Sequence, residues 1–185
     1  GDDFRFGHNR AGDHRLLSAM AGELGYELIV VDKIKDGARD ISSTYIREEI
    51  AAGHIKKANE LLGYPFFIKG RALGRTIGIP TVNLSVPHDK LLPPKGVYMS
   101  RVLVRDNWYL GVTNIGCKPT IEGKNPIGAE TYIIDFGQDV YGQDIMVELH
   151  KYVRPEMKFD SIEALKSQMS ADINYTINYA GSHTF

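Results

Sequence analysis

Six short runs rich in β-branched and aromatic residues (PFFIKG, IPTVNLSV, GVYMSRVLV, WYLGVTNIG, AETYIIDF and IMVELHKYV) fill the chain from Tyr64 to Val153. Clusters of Gly, Pro, Asp and Asn separate them. Runs of this length, punctuated by turn residues, fit neither a helical bundle nor a parallel α/β sheet and predict a small antiparallel barrel or sandwich. Arg105-Asp106-Asn107 is expected to be a hairpin loop between two of them. After the last run, Asp160-Ser161-Ile162-Glu163 has the form of a helix cap, and Ile162, Leu165, Met169, Ile173 and Ile177 step by three or four. This predicts an amphipathic C-terminal helix closing the fold.

The first 62 residues have a different texture. Asp13 is a plausible N-cap for a helix carrying Leu16, Leu17, Met20 and Leu24 and ending at Gly25. Residues 26–34 (YELIVVDKI) read as a strand covered on both faces. Ser42, Ser43 and Thr44 offer cap hydroxyls to a helix with Ile46 and Ile50, and a short helix ends at Gly63. One strand and three helices do not make a sheet, so this block is expected to be the tail end of a larger α/β domain. The expected domains are therefore residues 1–62 and 63–185, and the fold class is α+β overall.

With 185 residues, 43% of them hydrophobic and 24% charged, the chain is compositionally an ordinary globular protein. Its 22 Lys+Arg and 23 Asp+Glu leave a formal charge of -1, so no global field favours nucleic acid. Any polyanion site must be local. The single cysteine, Cys117, cannot form an intrachain disulfide, and cytoplasm is the default compartment. No run approaches the roughly 20 apolar residues of a membrane span. Neither a nucleic-acid nor a membrane partner is expected, and the oligomeric state is left open.

Three glycines four apart, Gly70, Gly74 and Gly78, lie in a stretch that contains Lys69, Arg71 and Arg75 and has no Asp or Glu before Asp89. A loop rich in free N–H groups can wrap phosphate oxygens. The spacing fits a solvated barrel loop equally well. Neither G-x-x-x-x-G-K-[ST] nor G-x-G-x-x-G occurs in this stretch, which excludes those two nucleotide cradles there. Thr81 and Asn83, two apart on an expected strand, share a face. A hydroxyl and an amide oxygen side by side suit Mg²⁺ when phosphates and waters complete its shell, although such a pair is also a common surface pattern. Glu130 alternates with Tyr132, Ile134 and Phe136, and a carboxylate on an apolar face has the environment of a general base; an acid reaching water at a strand end is the alternative. Arg154-Pro155-Glu156 is either a ligand contact at the barrel mouth or a plain turn.

GRTIGIPTVNL, NIGCKPT, AETYIIDF and DVYGQDIMVELHKYVRPEMKFDSIEALKSQMSADI together resemble the riboflavin kinase module of the bacterial bifunctional riboflavin kinase/FAD synthetases. The likeness covers nearly all of residues 64–175. In residues 1–62, GDDFRFG and ISSTYIR resemble the end of that family's FMN adenylyltransferase domain, a Rossmann-like nucleotidyltransferase. The resemblance implies a six-stranded antiparallel barrel with a C-terminal helix that phosphorylates riboflavin to FMN with ATP. It implies that Thr81 and Asn83 hold Mg²⁺ with the ATP phosphates and that Glu130 is the catalytic base. Lys69, Gly70, Gly74, Arg75, Thr76 and Pro80 would line the ATP loop, with Arg154 and Phe159 toward the flavin. Val82 stands where the family's P-T-A-N motif has Ala, on the face opposite the ligands. The segment between Gly70 and Gly74-Arg75-Thr76 is several residues shorter than in the family; either the loop is shortened or its tip is absent. The H-x-G-H motif of the adenylyltransferase is missing from these residues, so Ser42, Ser43, Thr44 and Arg47 would contact nucleotide only in a longer molecule, which is expected to have both activities. A flavin-binding barrel without catalysis is the alternative reading.

Overall fold

The computed structural model describes residues 2–75, 81–87, 89–117 and 127–183, with backbone alone for Gly74 and Arg75. They form two compact units, Gly1–Ser43 and Thr44–Phe185.

In the first unit, strands β1 (Arg5–Phe6) and β2 (Gly12–Asp13) pair, followed by helix α1 (His14–Leu24). The Asp13 carboxylate accepts from the Arg15 and Leu16 amides at 3.0 Å each. Gly25, at φ 70°, ends the helix in the left-handed conformation that glycine adopts without steric cost. Residues 26–34 are not the doubly covered strand their composition predicts. They have no regular structure, and Ile29, Val31 and Ile34 are exposed. A strand exists only through its hydrogen-bonded neighbour. Among the described residues of this unit, the remaining strands are β3 (Lys35–Asp36) and β4 (Arg39–Asp40), which pair with each other.

The second unit starts with helices α2 (Ser43–Ala51, from Thr44) and α3 (Ile55–Leu62). Grouped by sequence texture with residues 1–62, both cluster with the barrel instead. Helix α3 buries Ile55, Ala58 and Leu61. Asn59 fastens it by donating to the Leu149 carbonyl at 2.9 Å and accepting from the Phe66 amide at 2.7 Å.

Six strands then close a barrel: β5 (Phe66–Arg75), β6 (Thr81–Ser85), β7 (Gly96–Val104), β8 (Asn107–Cys117), β9 (Ile127–Ile133) and β10 (Asp144–Arg154). Their order is β10-β5-β6-β9-β8-β7, every pair antiparallel, and β10 also pairs with β7. Arg105-Asp106 forms the expected hairpin between β7 and β8, with Arg105 at φ 54°. Alternation sends Ile68, Leu84, Val102, Ile115, Ala129 and Val147 into the core. Three hydroxyls sit among them: Thr113 donates to Ser100 at 2.8 Å and shares a 2.9 Å hydrogen bond with Thr131. Paired in this way, they avoid the cost of a buried unsatisfied polar group.

Helix α4 (Ile162–Gly181) follows, capped by the Ser161 hydroxyl, which accepts from the Ala164 amide at 3.1 Å. Its expected apolar stripe is only partly used, since Ile162 and Ile177 are exposed. The helix instead buries Thr176 and Asp172, the latter paired with Arg154 of β10. Gly70 and Arg71 belong to strand β5, not to a loop. A Cβ at Gly70 would collide with the Ser85 backbone, so that glycine serves close strand approach.

On the barrel exterior, His150 lies 3.4 Å from Glu148, and Arg101 is 3.9 Å from the same carboxylate. Burial, and secondarily Arg101, pushes the His150 imidazole down to about 4, while burial raises Glu148 against the opposing effect of Arg101. A histidine with a depressed folded pKa binds fewer protons folded than unfolded, so its contribution to stability is lost as pH falls from about 6.5 toward 4. The raised Glu148 has the opposite sign: its contribution is present at low pH and lost as pH rises. Because His150 is the more strongly shifted of the two, the thermal midpoint is expected to fall as pH falls from about 6.5 toward 4. His150→Gln should flatten the acid side of that slope. Equal slopes in melting curves at stepped pH would refute the assignment.

Candidate functional site

The barrel register sets one row of side chains. Asn83 on β6 faces Glu130 on β9, Glu130 faces Asn114 on β8, Asn114 faces Val97 on β7, and Val97 faces Arg154 on β10. Directly opposed residues share a face, and core residues Leu84 and Ala129 flank the row on the other face. The row therefore lies on the barrel exterior. Glu130, Asn83 and Asn114 are half-buried there. Thr81, on the same face as Asn83, is 8% exposed and donates its hydroxyl to the Glu130 carboxylate. Val82 points into the core, as alternation predicts.

Glu130 shares its face with Tyr132, as expected, but not with Phe136, which packs against the core side. Strand β9 ends at Ile133, and Asp135, at φ 54°, breaks the alternation. Phe136 packs edge-on to Tyr109 at 4.9 Å instead. The face that carries Glu130 is thus the half-covered exterior of the barrel.

A cavity of about 320 Å³ opens over this row, between the sheet, the segment after β10 and helix α4. Glu130, Asn114, Glu156, Arg154 and Asp172 provide its polar groups. Met157, Phe159, Leu165 and Met169 provide apolar wall. Its volume is that of a small-molecule site, and its pairing of apolar walls with a few convergent polar groups is the usual composition of one.

Arg154 is held on three sides. Its Nε donates to both Asp172 oxygens at 3.0 and 3.1 Å, Nη2 to Oδ2 at 2.7 Å, and Nη1 to the Pro155 carbonyl at 3.0 Å. The Phe159 ring lies 5.9 Å from its guanidinium. Gly96, at φ 150°, permits this arrangement: a Cβ there would collide with the Arg154 carbonyl and the Tyr152 ring, where the β10–β7 register shifts between Tyr152 and Arg154.

The structure brings together Thr81, Asn83, Glu130, Arg154 and Phe159. Other expected residues lie elsewhere. Lys69 and Gly70 line a larger depression of about 560 Å³ with Leu103, Arg105 and Asp144, without Glu130. The smaller cavity is the better candidate because Glu130 lines it and Thr81 and Asn83 adjoin Glu130. Arg71 donates to the Gly142 carbonyl at 2.8 Å. Gly74 and Arg75 are in β5, with Arg75 opposite Val82. Thr76 and Pro80 lie outside the described residues, as does Gly78. Ser43, Thr44 and Arg47 begin α2, and neither they nor Ser42 are among the described residues lining the cavity. Sequence reading missed Asn114 and Asp172. Asn114 could have been found by its alternation with Val112 and Gly116; Asp172 had only its position inside an apolar stripe as a signal.

Gly96→Ala is expected to cost about 1–3 kcal/mol through strain at a positive φ and displacement of Arg154. Chemical denaturation would read the loss, and wild-type stability would contradict the account of the bulge.

A family model for riboflavin kinase matches residues 64–180, and one for FAD synthetase matches residues 1–45. Bifunctional riboflavin kinase/FMN adenylyltransferases are 40% identical over 178 residues in Escherichia coli K12 and 38% identical over 187 residues in Bacillus subtilis 168. These alignments cover 93% and 97% of this chain but 56% and 58% of those proteins, so the chain spans a little over half their length. A crystal structure described as a macrolide-efflux protein from Streptococcus pneumoniae superimposes with a TM-score of 0.83 at 33% identity, covering 96% of this chain and 59% of that one.

Proposed function

Because the chain belongs to the riboflavin kinase family, we propose that its barrel transfers the γ-phosphoryl group of ATP to the 5′-hydroxyl of riboflavin, giving FMN and ADP. The observation that carries this reading is the convergence of Thr81, Asn83 and Glu130, 49 residues apart at the extremes, on one patch of barrel wall beside the cavity. Phosphoryl transfer asks a protein mainly to align the acceptor hydroxyl, neutralise phosphate charge and receive a proton.

In this reading Glu130 accepts the proton of the riboflavin hydroxyl as its oxygen bonds to the γ-phosphorus and the bond to the ADP oxygen breaks. The Thr81 hydroxyl donates to Glu130 and aims its carboxylate, while its lone pairs stay available to a cation. Thr81 and Asn83 offer hard oxygens on one face, which fits a Mg²⁺ ion held jointly with the ATP phosphates. Such an ion would supply neutralisation of the phosphate charge. The flat flavin ring system suits the walls formed by Met157, Phe159, Leu165 and Met169, with Arg154 donating to its polar edge. Lys69, Gly70, Gly74, Arg75, Thr76 and Pro80 are assigned to the ATP side. The lone cysteine supports a reducing, cytoplasmic setting.

The same reading takes residues 1–62 as the end of an FMN adenylyltransferase domain, supported by the FAD synthetase match over residues 1–45 and by the greater length of the relatives. In a longer protein of that organisation, Ser42, Ser43, Thr44 and Arg47 would contact nucleotide, and further strands would cover Ile29, Val31 and Ile34.

Incubation with riboflavin and MgATP should yield FMN and ADP by chromatography; a folded protein that makes neither would instead fit a flavin-binding barrel without catalysis. Glu130→Gln is expected to lower kcat by about 10²–10⁴-fold, and full turnover in that variant would remove its role as base. Thr81→Ala and Asn83→Ala should raise KM for MgATP more than KM for riboflavin; identical MgATP titrations in mutant and wild type would count against the metal pair.

A further inference from the structure

The Arg154–Asp172 pair gives the cavity an unusual charge. Asp172, 3% exposed, accepts from Nε and Nη2 of Arg154 and also from Gln168 Nε2 at 3.0 Å. A buried carboxylate in this geometry compensates the guanidinium without consuming all of its donors. Of five N–H groups, two face Asp172 and one the Pro155 carbonyl, which leaves one on each Nη for a ligand. The other charged groups lining the cavity are Glu130 and Glu156, so three carboxylates stand against one guanidinium. Lys95, whose charge acts on Glu156 from the rim, is exposed and hydrogen-bonds Cys117, so solvent screens it.

Resting on the riboflavin reading above, we propose that Asp172 sets the specificity of this cavity by charge. It turns Arg154 into a donor without net positive charge and keeps the walls acidic, so that the cavity prefers an uncharged flavin to its phosphorylated product. The reaction itself creates the difference, because it replaces a neutral hydroxyl with a phosphate carrying about -1.5 to -2 charges at neutral pH. Like charge on the walls then disfavours retention of the product, and an uncompensated Arg154 would do the reverse. Asp172 lies on α4, outside the barrel, which gives that helix a part in substrate selection in addition to covering the sheet.

The test measures binding of riboflavin and FMN by quenching of flavin fluorescence, without nucleotide or magnesium, at low and high salt. Wild type should bind riboflavin more tightly than FMN. Asp172→Asn should move the affinity ratio toward FMN by about fivefold, and Glu156→Gln, at an exposed position, in the same direction by less, both shifts shrinking at high salt. The double variant Arg154→Gln with Asp172→Asn removes both charges of the buried pair and should keep the wild-type ratio. Asp172→Glu, which restores the carboxylate, should keep it too. Equal binding of both flavins by wild type, or a ratio unmoved in Asp172→Asn and Glu156→Gln, overturns the proposal while the riboflavin reading stands. A folded wild type that binds neither flavin overturns that reading, and the proposal with it.

Discussion

Strand β10 closes the barrel by pairing on both edges, with β5 over Asp144–Leu149 and with β7 over Met146–Arg154. Without it the remaining five strands would be an open sheet with two exposed edges, which is an aggregation hazard. With it the sheet closes and Ile68, Val102, Val147 and Leu149 form one continuous core. The same strand accepts the Asn59 clip from α3 and carries Arg154 at its far end, so closure also fixes what is attached outside the barrel.

Closure has a geometric consequence for the site. Once register is set by which side chains must point inward, the outward residues are set as well, because a strand has a two-residue period. Asn83, Glu130, Asn114 and Arg154 come from four strands and fall on one level because their neighbours Leu84, Ala129 and Ile115 are needed in the core. Regular pairing is interrupted between Ala72 and Arg75 on β5 and twice on β10, the second time next to Arg154, which pairs with Asp172 of helix α4. Site precision therefore derives from core packing, with the Arg154–Asp172 pair tying helix α4 to the end of β10.

Much of this could be read from composition and spacing. The six β-rich runs correspond to the six barrel strands, Asp13 caps the helix it was expected to cap, and Gly25 and Gly63 end theirs, while the last helix is capped by Ser161, one residue after the Asp160 that an acid at N3 implied. These are local matters, decided by hydrogen bonds within a few residues and by backbone conformations that glycine alone adopts cheaply. Thr81 and Asn83 on one face, with Val82 opposite, also follow from strand period alone. Residues 26–34 show the limit: apolar β-branched sequence raises the tendency to form a strand, but the ladder requires a neighbour that the tendency cannot supply.

The chain alone thus determined which segments of the barrel would be strands, where helices begin and end to within a residue or two, and which residue types capable of phosphoryl chemistry were present. Only the tertiary structure decided that Glu130 meets Thr81, that Asn114 completes their row, and that Asp172, not the apolar Ile162 or Ile177, is what α4 buries. Cross-strand register and helix docking are settled by total core burial summed over the whole barrel. No single segment contains that sum, so the residues it brings together carry no mark of each other in the sequence.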